Sequence, residues 1–212
     1  PPGGARSWTP SDGTAADRTV AAVRSAHFHS QGAVQVLAEA TGQMAEAFRG
    51  EIYQSVDKKA RVSIPAAFRR ILDADDPEKG EKNGARLYMV YGGKSRRFVE
   101  CYSKTGADAL AARIEGMELG SPERDRAERD LISRSVMVEI EPDGRIVLPQ
   151  KVREKMGFLG SDLTTQGGVA VFAGATNRFK LYRSEVYEAE QADEDDDDTD
   201  PLTLVGRASR SG

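Results

Sequence analysis

"VDKKARVSIP", residues 56–65, and "IEPDGRIVLP", residues 140–149, carry one pattern twice: apolar, acidic, three residues, arginine, apolar, any residue, apolar, proline. With a shift of 84, Val56 falls on Ile140, Asp57 on Glu141, Arg61 on Arg145, Val62 on Ile146, Ile64 on Leu148 and Pro65 on Pro149. The match continues through Phe68 and Val152, Arg69 and Arg153, and Leu72 and Met156. Further on, "GKSRRF" from Gly93 and "GATNRF" from Gly174 align with a shift of 81, each followed by a tyrosine, Tyr102 and Tyr182. This is an internal duplication of a unit of roughly fifty residues, with too few copies for a solenoid. Two small homologous domains are the economical reading.

Each unit predicts the same elements. "EIYQSV" and "RVSI" alternate apolar and polar residues and are rich in β-branched types, which suits strands joined at "DKKA". In the second copy the joint is "EPDG", where proline fixes one backbone angle and Asp-Gly completes a tight turn. A helix is expected to start at the proline, whose missing N–H would be unpaired at the first helical position anyway. Phe68, Ile71 and Leu72 form its apolar stripe, with Val152 and Met156 in the second copy. Two strands follow, "ARLYMVYG" and "RFVECY", then "GGVAVFAG" and "RFKLYR". The unit is therefore ββαββ, and the fold class is mainly β with helices (α+β). A unit this short cannot bury its own sheet faces. Interleaving the hairpins of both units into one β-barrel would solve this within a single chain.

Between the units, "ADALAARIEGMELG" and "SPERDRAERDLISRS" read as an exposed helical hairpin, the second helix capped by Ser121 with Pro122 behind it. Leu110, Ile114 and Met117 give the first an apolar stripe suited to packing. The resulting organisation is residues 1–43 as an extension, 48–104 as the first repeat, 105–134 as the connector, 135–187 as the second repeat and 188–212 as a tail. The extension opens without methionine and holds both histidines and the only tryptophan; its composition reads as disordered, and Met44 is expected to be a natural start. The tail begins with "EAEQADEDDDDTD", nine acidic residues and no basic ones, a run expected to stay disordered and solvated.

That run changes the meaning of the net charge. The whole chain carries −4 and residues 188–212 carry −7, so the remainder is +3; residues 1–43 balance, and residues 44–187 hold all of it. Between Phe48 and Leu72 lie Arg49, Lys58, Lys59, Arg61, Arg69 and Arg70 against Glu51 and Asp57, and "GGKSRRF" adds a second basic group. Basic clusters on an acidic chain suggest a polyanion met by one surface, with ordinary solvated charge as the bland alternative. The acidic tail could lie across such a surface in place of DNA.

Other classes find less support. After residue 43 the sequence has no histidine, no second cysteine and no G-x-x-x-x-G-K loop, so a Ser-His-Asp triad, a histidine metal site and a Walker-type nucleotide site are excluded from that part. The chain is not expected to be an enzyme, and no metal, cofactor or small-molecule substrate is expected. Cys101, in a strand-like stretch, reads as a small buried hydrophobe. No apolar run reaches 18 residues, so no membrane partner is expected, and the location implied is cytoplasmic.

Taken together, "AFRGEIYQSVDKKARVSIPAAFR", "SPERDRAERDLISRS" and "VEIEPDGRIVLPQKVREKMGF" resemble the MraZ family, transcriptional regulators associated with bacterial division and cell-wall gene clusters. The resemblance runs from about Phe48 to Tyr187 in three ordered motifs. It implies tandem SpoVT/AbrB-type swapped-hairpin domains with a D-x-x-x-R signature in each. It also implies sequence-specific binding of double-stranded DNA at repeated promoter elements, usually as repression, by a homo-oligomeric ring in the nucleoid. The signatures fall on Asp57 with Arg61 and on Glu141 with Arg145. Two departures stand out: Ala60 occupies a position where the family commonly has glycine, implying a stiffer or reshaped first turn, and Glu141 replaces aspartate, implying another pose for Arg145.

An acidic residue opening a tight turn can bridge the loop to the arginine four residues on and fix the guanidinium before DNA arrives. The planar fork of arginine can then grip a phosphate or a guanine edge with two hydrogen bonds. Lys58 and Lys59, on the turn, would supply sequence-independent phosphate attraction. Arg49, Arg69 and Arg145 complete the expected DNA-binding set, Arg69 having the alternative of an exposed solubilising charge. The Asp57–Arg61 pair either braces the hairpin, binds DNA, or does both. A competing reading is an antitoxin-like protein-interaction module of the same fold with only generic DNA affinity.

Overall fold

The computed structural model describes residues 46–79, 84–158, 160, 167–194 and 202–203. The extension expected over residues 1–43 lies outside the described residues, as do 195–201 and 204–212 of the acidic tail.

The alternating stretches form β1 (Glu51–Val56) and β2 (Arg61–Ser63), followed by helix α1 (Ala66–Ala74) and strands β3 (Arg86–Val90) and β4 (Val99–Tyr102). The connector supplies α2 (Lys104–Glu115) and α3 (Pro122–Ala127), and the chain winds on over Glu128–Ser133 as a π-helix. The second series is β5 (Ser135–Glu139), β6 (Arg145–Val147), α4 (Gln150–Met156), β7 (Gly168–Ala175) and β8 (Arg178–Arg183), closed by α5 (Ser184–Glu194).

One eight-stranded antiparallel sheet holds all the strands, in the order β5-β3-β4-β8-β7-β1-β2-β6. The β3–β4 hairpin of the first series thus lies between β5 and β8 of the second, and β1–β2 lies between β7 and β6. The two end strands, β5 and β6, are consecutive in the chain and joined by the 140–144 turn, so the sheet curls into a nearly closed interleaved barrel. Closure covers the edges that a lone ββαββ unit would expose. Strands β2 and β6 pair through Val62 and Ile146, which are the same position in the two copies. A pseudo-twofold axis therefore passes between them.

Inside the barrel, Phe48, Phe68, Phe172 and Phe179 stack with ring centroids 5.1–6.4 Å apart, edge-on or tilted. The α1 stripe expected from sequence, Phe68, Ile71 and Leu72, is buried, as are Val152 and Met156 of α4 and Cys101 of β4. Burial pushes the Cys101 thiol well up, so it stays protonated.

Both interior helices begin one residue later than the prolines suggest. Pro65 and Pro149 have extended ψ angles of 137° and 154° and act as N-caps, their carbonyls accepting the first helical bonds from Arg69 and Arg153 at 2.9 Å. The proline ring fits there because it donates nothing to the β2–β6 ladder just before it. Helix α3 starts as its sequence implies: Pro122 lies in its first turn, and Ser121 Oγ accepts from the Arg124 N–H at 3.2 Å. Ile114 is buried, while Leu110 and Met117 are half-buried.

The acidic run is not irregular from its first residue. Helix α5 packs Tyr187 against Tyr182 on the outside of β7–β8, centroids 5.1 Å apart, and carries residues 188–193 onward as helix, all exposed except half-buried Glu190. The packing of Tyr187 and Val186 anchors a helix that composition alone read as disorder. Among the described residues, no helix is long and apolar enough to cross a membrane.

One buried ion pair ties α1 to β3. Asp76 accepts from Arg86 Nη2 at 2.5 Å, Nε at 2.9 Å and the backbone N–H at 2.9 Å. The hydrogen-bonded guanidinium holds the Asp76 carboxyl down to about 2, from an ordinary 3.8. A depressed pKa stabilises the fold above the unfolded value and loses that contribution as pH falls through the folded one. Stability is therefore expected to decline as pH falls from about 4 toward 2. Asp76→Asn should flatten that decline while lowering neutral-pH stability by about 1–3 kcal/mol, since the charge-assisted bonds to Asp76 are lost while Arg86 Nη2 keeps Glu78 at 3.0 Å. Urea titrations across pH check both.

Candidate nucleic-acid interface

The two signature turns have the same backbone. In the first, Asp57 N–H donates to the Arg61 carbonyl at 2.9 Å and Ala60 N–H to the Asp57 carbonyl at 2.8 Å. In the second, Glu141 N–H donates to Arg145 and Gly144 N–H to Glu141, both at 2.8 Å. Ala60 adopts φ +60° where Gly144 adopts φ +81°, so the alanine does not reshape the turn; it sits strained in the left-handed region.

The glycine is needed in the second turn for a further reason. A Cβ at Gly144 would lie 1.7 Å from Arg69 Nη1, so the Arg69 guanidinium occupies the space the missing side chain leaves. Gly144→Ala is expected to destabilise by about 1–3 kcal/mol through strain and displacement of Arg69. Ala60→Gly should stabilise by up to about 1 kcal/mol, the strain relieved minus the entropy glycine adds to the unfolded chain. Paired thermal melts check the opposite signs.

The side chains of the turns differ. Asp57 Oδ1 accepts from the N–H groups of Lys59 (2.8 Å) and Arg61 (2.9 Å), while Oδ2 accepts from Arg61 Nε at 2.7 Å. The Arg61 backbone N–H, joined by its guanidinium, holds the Asp57 carboxyl below the usual range. In turn, the hydrogen bond that Arg61 donates to Asp57 raises the Arg61 pKa. Because Nε makes that bond, the two terminal nitrogens of Arg61 keep no hydrogen-bond partner among the described residues and remain available to a ligand.

Glu141 does not play this part for Arg145. Asp143, two residues nearer, accepts from the Arg145 N–H at 3.1 Å and faces its Nε at 3.6 Å, while Glu141 is exposed. The sequence had shown Asp143 only as a turn former. A carboxylate at the third turn position reaches back to the backbone two residues on as an Asx turn does, which explains the exchange.

Strand pairing brings the two arginines onto one surface. Arg61 pairs with Val147, Val62 with Ile146 and Ser63 with Arg145. Val62 and Ile146 point inward and are buried, so Arg61, Ser63, Arg145 and Val147 share the outer face. Arg61 and Arg145 are diagonal neighbours, about 7–8 Å apart at the backbone. Lys58 and Lys59 are exposed at the tip of the first turn. Arg69 backs the second turn, half-buried, rather than standing free as a solubilising charge.

Arg49 does not join this group. It lies before β1, beside the Phe48–Thr176 bridge, with the whole strand between it and Asp57. At about 3.3 Å per residue, that is roughly 20 Å or more away.

No family model matches the chain. Among curated proteins, it is 47% identical over 154 residues to the transcriptional regulator MraZ of Cereibacter sphaeroides, covering 72% of this chain and 89% of that protein. It is 35% identical over 175 residues to the transcriptional regulator MraZ of Ruegeria pomeroyi, covering 79% of this chain and 100% of the relative. The MraZ of Coxiella burnetii is 26% identical over 146 residues, 69% of this chain and 86% of its own.

Proposed function

This chain belongs to the MraZ family of transcriptional regulators, and from that premise we propose that it binds double-stranded DNA through the β2–β6 face and the two turns beside it. The observation that carries the reading is Arg61, held at Nε by Asp57 with its terminal nitrogens directed to no protein partner among the described residues. A guanidinium fixed in this way matches the O6 and N7 acceptors of a guanine in the major groove. Preorganisation by Asp57 spares the ordering cost that a free arginine meets on binding.

Lys58 and Lys59 attract the phosphate backbone and set affinity without reading sequence. Arg145, steadied by Asp143, supplies a second contact from the pseudo-symmetric turn. Arg69 acts indirectly, by supporting the second turn from behind Gly144. Arg49, at the far end of β1, is a backbone contact only for DNA that extends along the barrel.

The finer reading is that the protein recognises repeated elements upstream of a division and cell-wall gene cluster, represses it, and does so as a homo-oligomeric ring that sets several faces against successive repeats. No catalytic step is assigned to the chain. Footprinting of the DNA upstream of its own gene by the purified full-length protein tests this, with light scattering for the assembly. Protection of spaced repeats supports the reading. Uniform, weak and strongly salt-dependent binding would reduce the basic face to a generic polyanion patch and point to a protein partner instead.

A further inference from the structure

At the other end of β5 from the signature turn, the β3–β4 loop and the α3–π segment enclose an open cleft of about 960 Å³. Five residues of β5, at about 3.3 Å each, separate the two ends by roughly 17 Å. The walls of the cleft meet without intervening side chains: a Cβ on Gly92 would lie 1.8 Å from the Asp130 carbonyl oxygen, so the end of β3 rests directly on the π-wound turn.

The lining is strongly unbalanced in charge. The loop contributes Lys94 and Arg96, and the opposite wall contributes Arg126, Arg129 and Arg134, against Glu123 and Asp130. Three of these arginines crowd about the single Asp130 carboxylate. Only Arg134 reaches hydrogen-bond distance, Nη1 to Oδ1 at 2.7 Å; Arg129 Nε and Arg126 Nε stand off at 3.8 and 4.0 Å. One carboxylate cannot satisfy three planar forks, each with five N–H donors. Lys94 is exposed with no ion pair among the described residues. Arg96 spends one nitrogen on Glu100, at 2.8 Å.

Lys155 of α4 braces the loop wall from outside the cleft. Its Nζ donates to the Gly93 carbonyl at 2.6 Å, and burial, with Arg96 and Arg134 nearby, lowers its pKa. Burial is the larger cause and the two arginines add to it, so the cationic excess of the cleft rests on its own lining residues.

We propose that this cleft binds a small anion bearing adjacent phosphate groups. Its volume lies in the range of small-ligand sites, and its concave shape does not suit a convex duplex seated some distance away on the β2–β6 face. Among the described residues no aromatic side chain lines it, so recognition falls on the phosphates rather than on a stacked base. Paired guanidinium forks are the side chains suited to bidentate phosphate contacts.

Titration calorimetry with inorganic tripolyphosphate at low salt tests the proposal on the full-length protein in the absence of DNA, so its outcome is independent of the DNA-binding reading. Saturable binding is expected. The double variant Lys94→Gln/Arg129→Gln, which touches only exposed residues, should lose at least about tenfold in affinity while keeping the parental melting temperature. Arg113→Gln, on the outer side of α2, and Lys58→Gln/Lys59→Gln should retain it. Absence of saturable binding, or equal affinity in parent and double variant, overturns the proposal, as does a loss that follows Lys58 and Lys59 instead. Loss of upstream-DNA affinity in the double variant, with tripolyphosphate competing, would assign the cleft to the DNA backbone and also overturn it.

Discussion

Arg61→Ala is expected to weaken binding to the upstream DNA by about 1–3 kcal/mol, roughly 5- to 150-fold, while affinity for scrambled DNA falls much less. The difference follows from what the side chain is placed to do. Lys58 and Lys59 remain on the turn in the variant and continue to attract phosphates, so sequence-independent affinity survives. The Asp57 carboxylate loses its guanidinium partner but keeps two backbone N–H bonds, from Lys59 and Arg61, so the turn itself should hold. Arg61→Lys sharpens the result: it restores the charge without the planar fork, and should recover the salt-dependent affinity without the preference. Anisotropy titrations on both DNAs at two salt concentrations separate these outcomes. Equal losses on both DNAs would make Arg61 a phosphate contact only.

Phe68→Ala is expected to have the largest effect on stability, about 3–5 kcal/mol. Phe68 is fully buried and its ring meets Phe48, Phe172 and Phe179 at 5.2, 6.4 and 5.1 Å. These partners come from before β1, from β7 and from β8, so the ring links a helix of the first series to strands of the second. Its removal opens a cavity where the two interleaved series meet. The melting temperature should fall by about 6–20 °C at this chain length. Phe68→Leu, which keeps most of the volume, should cost far less. Similar melts for both variants would show that the aromatic cluster does not hold the two series together.

The barrel was legible because a duplicated pattern states its own solution: two strand pairs that cannot bury themselves separately must be shared. Alternation in "EIYQSV" and "RFKLYR", and the apolar stripe at Phe68, Ile71 and Leu72, placed strands and helix in their observed elements. What failed was local. The sequence implies that the prolines are first helical residues, yet they cap, because the ladder of β2 and β6 runs up to Ile64 and Leu148 and leaves the prolines extended. The helix over Ser184–Glu194 was hidden because its anchor is tertiary, Tyr187 on Tyr182, and composition cannot show that contact.

The candidate site was legible by type and only partly by position. Aligning the copies sets Glu141 on Asp57 and implies another pose for Arg145, but not its partner: side-chain length and turn position decide which carboxylate reaches the arginine, and Asp143 does so in the second turn. Proximity in sequence grouped Arg49 with the turn lysines, whereas the extended strand between them carries it away. Conversely, Arg61 and Arg145 are 84 residues apart in the chain and diagonal neighbours in the ladder. The cleft on the π-wound turn had no sequence signal beyond scattered arginines, because it depends on that winding gathering them about Asp130.

The central claim, that DNA lies against the outer face of β2 and β6, is tested most directly by disulfide trapping. Val147, the ladder partner of Arg61, is 47% exposed on that face, and the native Cys101 is buried and does not compete. Val147→Cys should cross-link to a thiol-tethered duplex of the upstream sequence, in preference to its scrambled counterpart, while Arg113→Cys on α2 should not. Cross-linking at position 113 with none at 147 would contradict the claim.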